Sequence, residues 1–298
     1  MNRQIELSII TINYNGVDDT LELISSLREN LTIRYEVIVV DNASRNDEIS
    51  IINRMAPECI TIASKQNVGF SGGNNLGIKR ATGRYLLMLN NDTLVKDGLI
   101  QQLITFMDDN PQIGGVSPKL LYAEAPDVIQ YAGATRLSTI TLRNQTIGLG
   151  EIDRGQYDQC QKTSFLHGAA MMVRKEVIKE TGLMPEIFFL YYEEIDWSTQ
   201  IEKSGFELWY NPVCSVYHKE SRSVGNESPL KIYYMTRNRL LYAWRNRIGL
   251  VRILSFLYLF GIATIRNIMK YLFRGNWDLT KAVLRGDFAF ITLKNKLS

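Results

Sequence analysis

The feature that most constrains the fold is a hydrophobic run that ends abruptly in three polar residues. Residues 85–89 are all apolar or aromatic, and Asn90, Asn91 and Asp92 follow them directly. A short apolar run of this kind predicts a buried strand, and the carboxyl ends of such strands are where open α/β sheets bind ligands. The sequence therefore predicts that Asp92 holds a divalent cation at the rim of a sheet. The alternative is that Asp92 caps the helix that follows.

Strand and helix patterns alternate through the first half of the chain. Three further apolar segments predict strands, at residues 7–15, 35–44 and 59–63. Leucines and isoleucines spaced near 3.6 residues predict a helix after the first of these strands. A glycine-rich stretch, residues 67–83, opens a short helix, and we place Gly72 and Gly73 in a loop there. This order predicts an α/β fold with a mostly parallel sheet covered on both faces.

Composition and cysteine content narrow the class of protein. The chain of 298 residues is 45% hydrophobic and 22% charged, which is ordinary for a globular protein. Its three cysteines, Cys59, Cys160 and Cys214, form no close pair, which argues against a disulfide framework and a cysteine zinc site. The first residues lack the pattern of an export signal. We therefore expect a protein of the reducing cytoplasm.

The positive charge is concentrated towards the C-terminus. Residues 229–298 contain 13 lysines and arginines against two aspartates, a net charge of 13 − 2 = +11, whereas residues 1–228 carry 21 − 29 = −8. This asymmetry predicts a main domain at residues 1–228 and a basic helical extension at residues 229–298. It also predicts that the extension faces an anionic partner, either phospholipid or nucleic acid.

The C-terminal extension contains an apolar run flanked by basic residues. The uncharged residues 253–265 are fewer than the roughly 18 to 20 needed to span a bilayer. If residues 242–273 form one helix, five basic side chains lie within an arc of about 80°; they are Arg245, Arg252, Arg266, Lys270 and Arg274. This basic stripe predicts an amphipathic helix that lies on an anionic membrane surface. The alternative is a packing element with a solvated basic edge.

Several predicted features meet at one edge of the sheet. Asp41 ends the second strand, Gly72 and Gly73 precede the fourth, and Asp92 follows it. The carboxyl ends of parallel strands converge on one crevice, which suits a nucleotide. Asp41 can accept a hydrogen bond from a base or a ribose hydroxyl, or it can form an Asx turn. The glycine spacing matches neither the dinucleotide-binding nor the P-loop pattern, which disfavours dehydrogenases and P-loop NTPases.

A second cluster of acids lies among the aromatic residues of segment 188–197. Glu193, Glu194 and Asp196 fall in the first turn of a predicted helix, where negative charge is favourable. Carboxylates in aromatic surroundings can have raised pKa values suited to general-base catalysis. His218, one of only two histidines, ends a predicted strand and can complete an oxygen-rich cation site.

Seven segments together carry a resemblance to a known family. They are YEVIVVDNAS (35–44), NVGFSGGNN (67–75), LLMLNNDT (86–93), HGAAMMV (167–173), YYEEIDW (191–197), VYH (216–218) and YYMTRNRL (233–240). In this order they resemble the inverting family-2 glycosyltransferases, most closely the rhamnosyltransferase-like branch of bacterial polysaccharide assembly. The resemblance covers roughly residues 6–242. It implies a GT-A type fold, a single Rossmann-like domain, with a nucleotide-sugar donor whose diphosphate is bridged by Mg²⁺ or Mn²⁺.

The resemblance also assigns residues to the nucleotide sugar and the cation. Residues 1–115 would bind the donor, in which Asp41 matches the nucleoside-binding aspartate. Asn90 and Asp92 match the two ends of a D-x-D metal motif, so Asp92 is its only carboxylate, and His218 matches a metal ligand of some members. The other candidate donor contacts are Asn67, Gly72, Gly73, Asn74 and Asn91.

Residues 116–228 would carry the acceptor and catalytic groups. Glu194 matches the catalytic base, but it is one methylene longer than the usual aspartate, which leaves Glu193 and Asp196 open as alternatives. The small residues of segment 167–170 leave room for sugar and acceptor, so the candidate contacts there are His167, Gly168 and Ala169.

The resulting hypothesis is an inverting sugar transfer to a hydroxyl of a lipid-linked or saccharide acceptor at the inner face of the membrane. We expect dTDP-rhamnose as the donor, with a UDP-sugar second. A sugar nucleotidyltransferase is the first alternative, but acidic Asp18 and Asp19 follow the first strand, where a triphosphate would need positive charge. A nucleic-acid-binding protein is the second, and it would leave the acids of segment 188–197 without a role. We therefore expect no nucleic-acid partner.

Overall fold

The fold was obtained as a computed structural model that describes residues 5–219 and 227–297. Its strands are β1 (Leu7–Asn13), β2 (Tyr35–Asp41), β3 (Ile60–Ala63), β4 (Tyr85–Leu89), β5 (Thr93–Val95), β6 (Ile113–Tyr122), β7 (Ile129–Tyr131), β8 (Gln161–Lys162), β9 (Ala170–Arg174) and β10 (Glu207–His218). Its helices are α1 (Val17–Asn30), α2 (Glu48–Met55), α3 (Gly69–Arg80), α4 (Ile100–Asp109), α5 (Val177–Thr181), α6 (Glu193–Lys203), α7 (Pro229–Asn246), α8 (Gly249–Tyr258), α9 (Ile265–Phe273) and α10 (Trp277–Leu297).

One central sheet organises these elements in the order β3-β2-β1-β4-β9-β6-β10-β5. Within the described residues, six of these eight strands point in the same direction, and β9 and β5 run against them. The short strands β7 and β8 pair with β6 and β10 outside this path. The predicted α/β fold with a mostly parallel sheet is confirmed.

Helices cover both faces of the sheet. Successive residues of a strand point to opposite faces, so Ile9 of β1 packs with the apolar sides of α1, α2 and α4, whereas Ile10 packs with those of α3, α5 and α6. Both isoleucines are fully buried. Strand β4 is apolar throughout because all five of its residues are buried, with a layer of helices on each face of the sheet.

The glycine-rich segment is a helix. Gly72 and Gly73 lie inside α3, so their placement in a loop is wrong. A Cβ on Gly73 would come within 2.8 Å of Ile12 Cδ1 on β1, and one on Gly77 would overlap Ile10. The glycines therefore let α3 pack closely on β1, which is a structural reason that the sequence pattern did not separate from ligand binding.

The polar triplet after β4 crosses the rim of the sheet. The chain leaves β4 at Leu89 and re-enters the sheet as β5 beside β10, where Thr93 pairs with His218. Asn90, Asn91 and Asp92 form the crossing. The rim that carries the carboxyl ends of β1, β2 and β4 is thereby joined to the end of β10.

The C-terminal helices differ from the expectation of one helix over residues 242–273. Helix α7 ends at Asn246, and a second helix runs from Gly249 to Phe273 as α8, a π-helical turn at Leu259–Thr264, and α9. By length and composition alone, this 25-residue helix is the one segment in the described part of the chain that is long and apolar enough to cross a membrane. The sequence analysis considered only the 13 uncharged residues 253–265, which are too few to span a bilayer. The helix that contains them is longer, because it also includes charged residues on either side.

The basic stripe also differs from the expectation, because its members contact protein groups. Arg245 forms an ion pair with Asp196. Arg252 stacks on Trp244, with 4.6 Å from its guanidinium carbon to the ring centre. Lys270 and Arg274 form ion pairs with a carboxylate just before α7, at distances of 2.6 and 3.2 Å. The exposed side of this helix is mostly apolar and also carries Arg266.

The close approach of α3 to β1 makes a testable prediction. Gly77→Ala should lower the free energy of unfolding by about 1 kcal/mol or more, because overpacking outweighs the gain in helix propensity. Gly261→Ala is the matched control, since nothing lies within 4 Å of its added Cβ. Urea denaturation of the two variants checks the difference, and equal stability would contradict the packing role of Gly77.

Candidate active site

Asp92 and His218 form the centre of the site. His218 Nε2 lies 3.1 Å from Asp92 Oδ1, and the two residues are 8% and 4% exposed. The N–H of Lys219 donates to the Asp92 carbonyl at 2.9 Å, which fixes the crossing segment to the end of β10. Two residues 126 positions apart in the sequence are therefore brought together by the β5–β10 pairing.

Gln130 orients the ring of His218. Its Oε1 lies 2.8 Å from His218 Nδ1. An amide oxygen accepts from an Nδ1–H, which would leave the lone pair of Nε2 for a cation. Nε2 faces Asp92 and lies 3.4 Å from the Asn90 amide nitrogen. This is the arrangement of a metal-ligating histidine oriented by a second residue.

These groups fit a divalent cation held partly by substrate. Within residues 5–219 and 227–297, no group of three or more His, Cys, Asp and Glu side chains is placed to hold a metal ion. Asp92 Oδ1 and His218 Nε2 supply one carboxylate and one imidazole. Mg²⁺ and Mn²⁺ sites commonly combine one or two protein ligands with phosphate oxygens and water. A site of this kind therefore needs the diphosphate to complete it.

The turn at residues 167–169 adjoins this pair. The Asn90 N–H donates to the Ala169 carbonyl at 3.0 Å, and the ring centres of His167 and His218 are 6.4 Å apart. Burial, and secondly the positive charge of His218 when protonated, lower the pKa of His167 to about 3. His167 is therefore neutral at physiological pH. Its predicted contacts to sugar or acceptor, like those of Gly168, stay predictions.

Asp41 ends β2 at the same rim of the sheet and lies in a polar network. Its Oδ1 accepts from Asn13 Nδ2 at 2.8 Å and from Ser44 Oγ at 2.5 Å, and its Oδ2 accepts from the Ser44 N–H at 3.1 Å. Asn13 also donates to Glu48 at 2.7 Å. Asp41 forms a turn with Ser44, and its carboxylate still has lone pairs that could accept a hydrogen bond from a nucleoside. Both interpretations of Asp41, an Asx turn and a nucleoside contact, therefore remain.

The asparagines predicted to contact the donor have different environments. Asn67 accepts from Asn42 Nδ2 at 3.1 Å and from the Gly69 N–H at 2.9 Å, so it shapes the entry to α3. Asn74 donates to the Phe70 carbonyl inside α3. Asn91 donates to the Gly16 carbonyl at 3.2 Å and to a threonine hydroxyl of α1, which turns its amide away from Asp92. The predicted donor contact of Asn91 stays a prediction.

A turn with unusual backbone angles precedes the catalytic acids. Phe189, Tyr191 and Tyr192 have φ angles of 65°, 67° and 75°, a region that residues with a Cβ rarely adopt. The Phe70 N–H donates to the Phe189 carbonyl at 2.7 Å. The turn therefore lies against the beginning of α3, at the rim that also holds Asp41.

Glu193 and Glu194 begin α6 directly after this turn. Burial raises the pKa of Glu194 to about 7. Burial and the neighbouring Glu194 raise the pKa of Glu193 well above its usual range. Glu193 is 3% exposed, and its Oε2 has no hydrogen-bond partner among the described residues. A carboxylate with a pKa near 7 is suited to general-base catalysis.

Asp196 is engaged elsewhere. It is fully buried, and it receives Arg245 Nε at 3.1 Å on Oδ1, Arg245 Nη2 at 3.1 Å on Oδ2, and Asn246 Nδ2 at 2.6 Å. A fully buried carboxylate whose two oxygens are bound by a guanidinium and an amide is shielded from substrate. Its interpretation as an alternative base is therefore not supported, and it anchors α7 to α6.

The sequence analysis missed four polar residues that hold the site. Gln130 and Asn13 lie in short apolar strands. A side-chain amide in such a strand is buried and therefore forms hydrogen bonds, which is the pattern that could have identified both residues. Asn238 and Arg245 lie in the basic extension and contact the catalytic segment. The motif YYMTRNRL was noted, but its asparagine received no role.

A family profile matches the part of the chain that includes Asp41 and Asp92, and it ends before α6 and His218. The profile described as Glycosyl transferase family 2 matches residues 8–182, which is more than half of the chain. The low-salt glycan biosynthesis hexosyltransferase Agl10 of Haloferax volcanii is 28% identical over 241 residues, which cover 79% of this chain and 75% of the relative. The dTDP-rhamnosyl transferase RfbF of Shigella flexneri is 25% identical over 266 residues, which cover 84% and 83%.

Solved structures confirm the GT-A type fold. The mannosyltransferase PcManGT from Pyrobaculum calidifontis, solved with GDP-Man and Mn²⁺, matches with a TM-score of 0.59 at 13% identity over 98% of this chain and 76% of its own. GalNAc-T7, solved with UDP, GalNAc and Mn²⁺, matches with a TM-score of 0.63 at 14% identity over 87% and 54%. At such identities the likeness shows the fold alone. The profile and the two relatives show that this chain belongs to glycosyl transferase family 2 and is a nucleotide-sugar-dependent glycosyltransferase.

Proposed function

We propose that the enzyme transfers a sugar from a nucleoside diphosphate to a hydroxyl group with inversion, in the synthesis of a surface glycan. One observation carries this proposal: the Asp92–His218 pair and the Glu193–Glu194 pair adjoin the same rim of the sheet, through the Asn90–Ala169 and Phe70–Phe189 hydrogen bonds. Glycan synthesis is supported by the names of the two relatives.

The residues divide the chemistry between them. Glu194 takes the proton from the acceptor hydroxyl, whose oxygen attacks the anomeric carbon on the face opposite the leaving diphosphate. No covalent intermediate forms. Asp92 and His218 would hold Mg²⁺ or Mn²⁺, which supplies positive charge to the diphosphate when bound. Asp41 accepts a hydrogen bond from the nucleoside.

The donor that we propose first is dTDP-rhamnose, with a UDP-sugar second. The relative from Shigella flexneri carries the first name, and the solved structure with UDP and GalNAc motivates the second. A donor panel, read by mass-spectrometric detection of released nucleoside diphosphate, tests the proposal. Release of pyrophosphate from a nucleoside triphosphate and a sugar phosphate would instead show a nucleotidyltransferase.

We also propose that the C-terminal helices dock the enzyme on an anionic membrane, where a lipid-linked acceptor would be found. An apolar row on the helix from Gly249 to Phe273 is exposed, including Leu250 at 68%, Leu257 at 64% and Ile265 at 56%. The +11 charge of residues 229–298 complements anionic lipid. Because most of the predicted stripe is paired with protein groups, the apolar row provides the contact and long-range charge assists it.

The first prediction concerns Asp92. Asp92→Ala should abolish divalent-cation-dependent turnover, because it removes the only carboxylate in contact with His218 among the described residues. Donor and Mn²⁺ binding by calorimetry should weaken, while the melting temperature changes little. Unchanged Mn²⁺ binding would remove Asp92 from the metal site.

The second prediction concerns the base. Glu194→Gln should keep nucleoside diphosphate affinity but lower kcat about 10²- to 10⁴-fold, since an amide cannot take the proton. With a pKa of about 7, the wild-type kcat should rise as pH increases through 7, because the carboxylate form is the active one. Glu193→Gln is the matched control. If Glu193→Gln lowers kcat and abolishes its rise with pH, while Glu194→Gln leaves both unchanged, Glu193 is the base.

The third prediction concerns the apolar row. Leu250→Glu combined with Leu257→Glu should release the enzyme from vesicles of anionic phospholipid, because buried apolar area drives interfacial binding. Met55→Glu, at a 56% exposed position on α2, controls for the added charge. Flotation and turnover on a soluble acceptor are measured together. Flotation that does not respond to the double variant would rule out docking through this row.

A further inference from the structure

Helix α7 of the basic extension contacts the turn that precedes the catalytic acids. Asn238 of α7 is fully buried. Its Nδ2 donates to the carbonyls of Phe188, Leu190 and Tyr191, at 3.0, 2.8 and 2.7 Å. One amide group with two N–H bonds therefore serves three carbonyl oxygens of a single turn.

The turn needs these contacts. Three of its aromatic residues have positive φ angles, so the backbone does not follow a helix or strand. Within the turn the Leu190 N–H donates to the Phe188 carbonyl at 2.8 Å, whereas the Leu190 and Tyr191 carbonyls are bound by Asn238. Buried carbonyls without a partner are unfavourable. Arg237 adds hydrogen bonds to the Ile187 and Phe188 carbonyls at 3.1 and 2.5 Å, and its Nε donates to Asn238 Oδ1 at 2.8 Å. Asn238 is thus itself held in one orientation.

The opposite side of the turn rests on the donor-binding half of the protein. The Phe70 N–H donates to the Phe189 carbonyl, and a Cβ on Gly69 would overlap that carbonyl oxygen. Asn75 of α3 donates to the Met184 carbonyl at 2.9 Å just before the turn. The segment that leads into α6 is therefore clamped between α3 and α7.

We propose that Asn238 is a positioning residue for the transfer reaction, which fixes the direction in which Glu193 and Glu194 project from the start of α6 by holding the carbonyls of residues 188–191. Segment 229–246 would then be part of the catalytic unit as well as the link to the C-terminal helices. The inference rests on the proposed function only in taking one of these two acids as the base.

The experiment replaces Asn238 with a residue of similar size that cannot donate. Asn238→Leu should lower kcat about 10- to 100-fold, because small displacements of a catalytic group are costly. The affinity for nucleoside diphosphate, measured by calorimetry, should stay within about twofold, since Asp41 hydrogen-bonds to Asn13 and Ser44 and Asp92 contacts His218, all of which lie outside α7. Asn238→Ser, which keeps one donor, should show a smaller loss of kcat and provides a second variant if Asn238→Leu does not fold.

Leu103→Ala is the control for stability. Leu103 is fully buried in α4, in the cluster that does not contain the turn. It should lower the melting temperature without changing kcat at a temperature well below the transition. A purely structural role for Asn238 would give the same pattern as Leu103→Ala, or would weaken nucleotide binding as much as kcat, and either result overturns the inference. Full activity of Asn238→Leu beside an inactive Glu194→Gln would also overturn it and leave the proposed function intact.

Discussion

The active site depends on the antiparallel pairing of β5 with β10. Without it, Asp92 would remain at the end of β4 and His218 at the end of a distant strand. The pairing places Thr93 opposite His218 and brings the carboxylate to 3.1 Å from Nε2. Gln130 of β7 then contacts Nδ1 at 2.8 Å and orients the ring so that Nε2 faces Asp92. The site is therefore built from the ends of strands that are distant in sequence, and the sheet supplies its rigidity.

A second interaction connects the acidic residues 1–228 to the basic residues 229–298. The acidic main domain and the basic extension meet at Asp196, which is fully buried and bound by Arg245 and Asn246. Removing Arg245 alone would leave the buried Asp196 charge uncompensated and would therefore destabilise the docking of α7 on α6. The apolar cluster around Phe188, Tyr192 and Leu240 includes residues of both regions. The boundary at residue 229 is thus a change in composition across which side chains pack and pair.

The sequence predicted the elements whose patterns come from burial, and it missed features that depend on pairing over long distances. The run at residues 85–89 is uniformly apolar because β4 is covered on both faces, so its strand could be inferred. The glycines of α3 were misplaced because a helix that packs closely on a strand and a ligand-binding loop both require small residues. Asp196 looked like Glu193 and Glu194, and only Arg245, 49 residues away, distinguishes it. The expectation of one helix over residues 242–273 was wrong, because helix periodicity does not show the break after Asn246 or the ion pairs that some of the basic residues form.

The two acids at the start of α6 show a conflict between stability and function. Their raised pKa values mean that the folded protein binds protons at Glu193 and Glu194 more tightly than the unfolded chain does. Stability therefore falls as pH rises from the ordinary glutamate range through about 7, where Glu194 ionises. The enzyme needs the ionised form of its base, so it is active where this cost is present. The orphaned Oε2 of Glu193 and the positive φ angles of the preceding turn lie in the same segment. Contacts from α3 and α7 on either side offset these costs, and this is why a catalytic segment with unfavourable local features can keep one conformation.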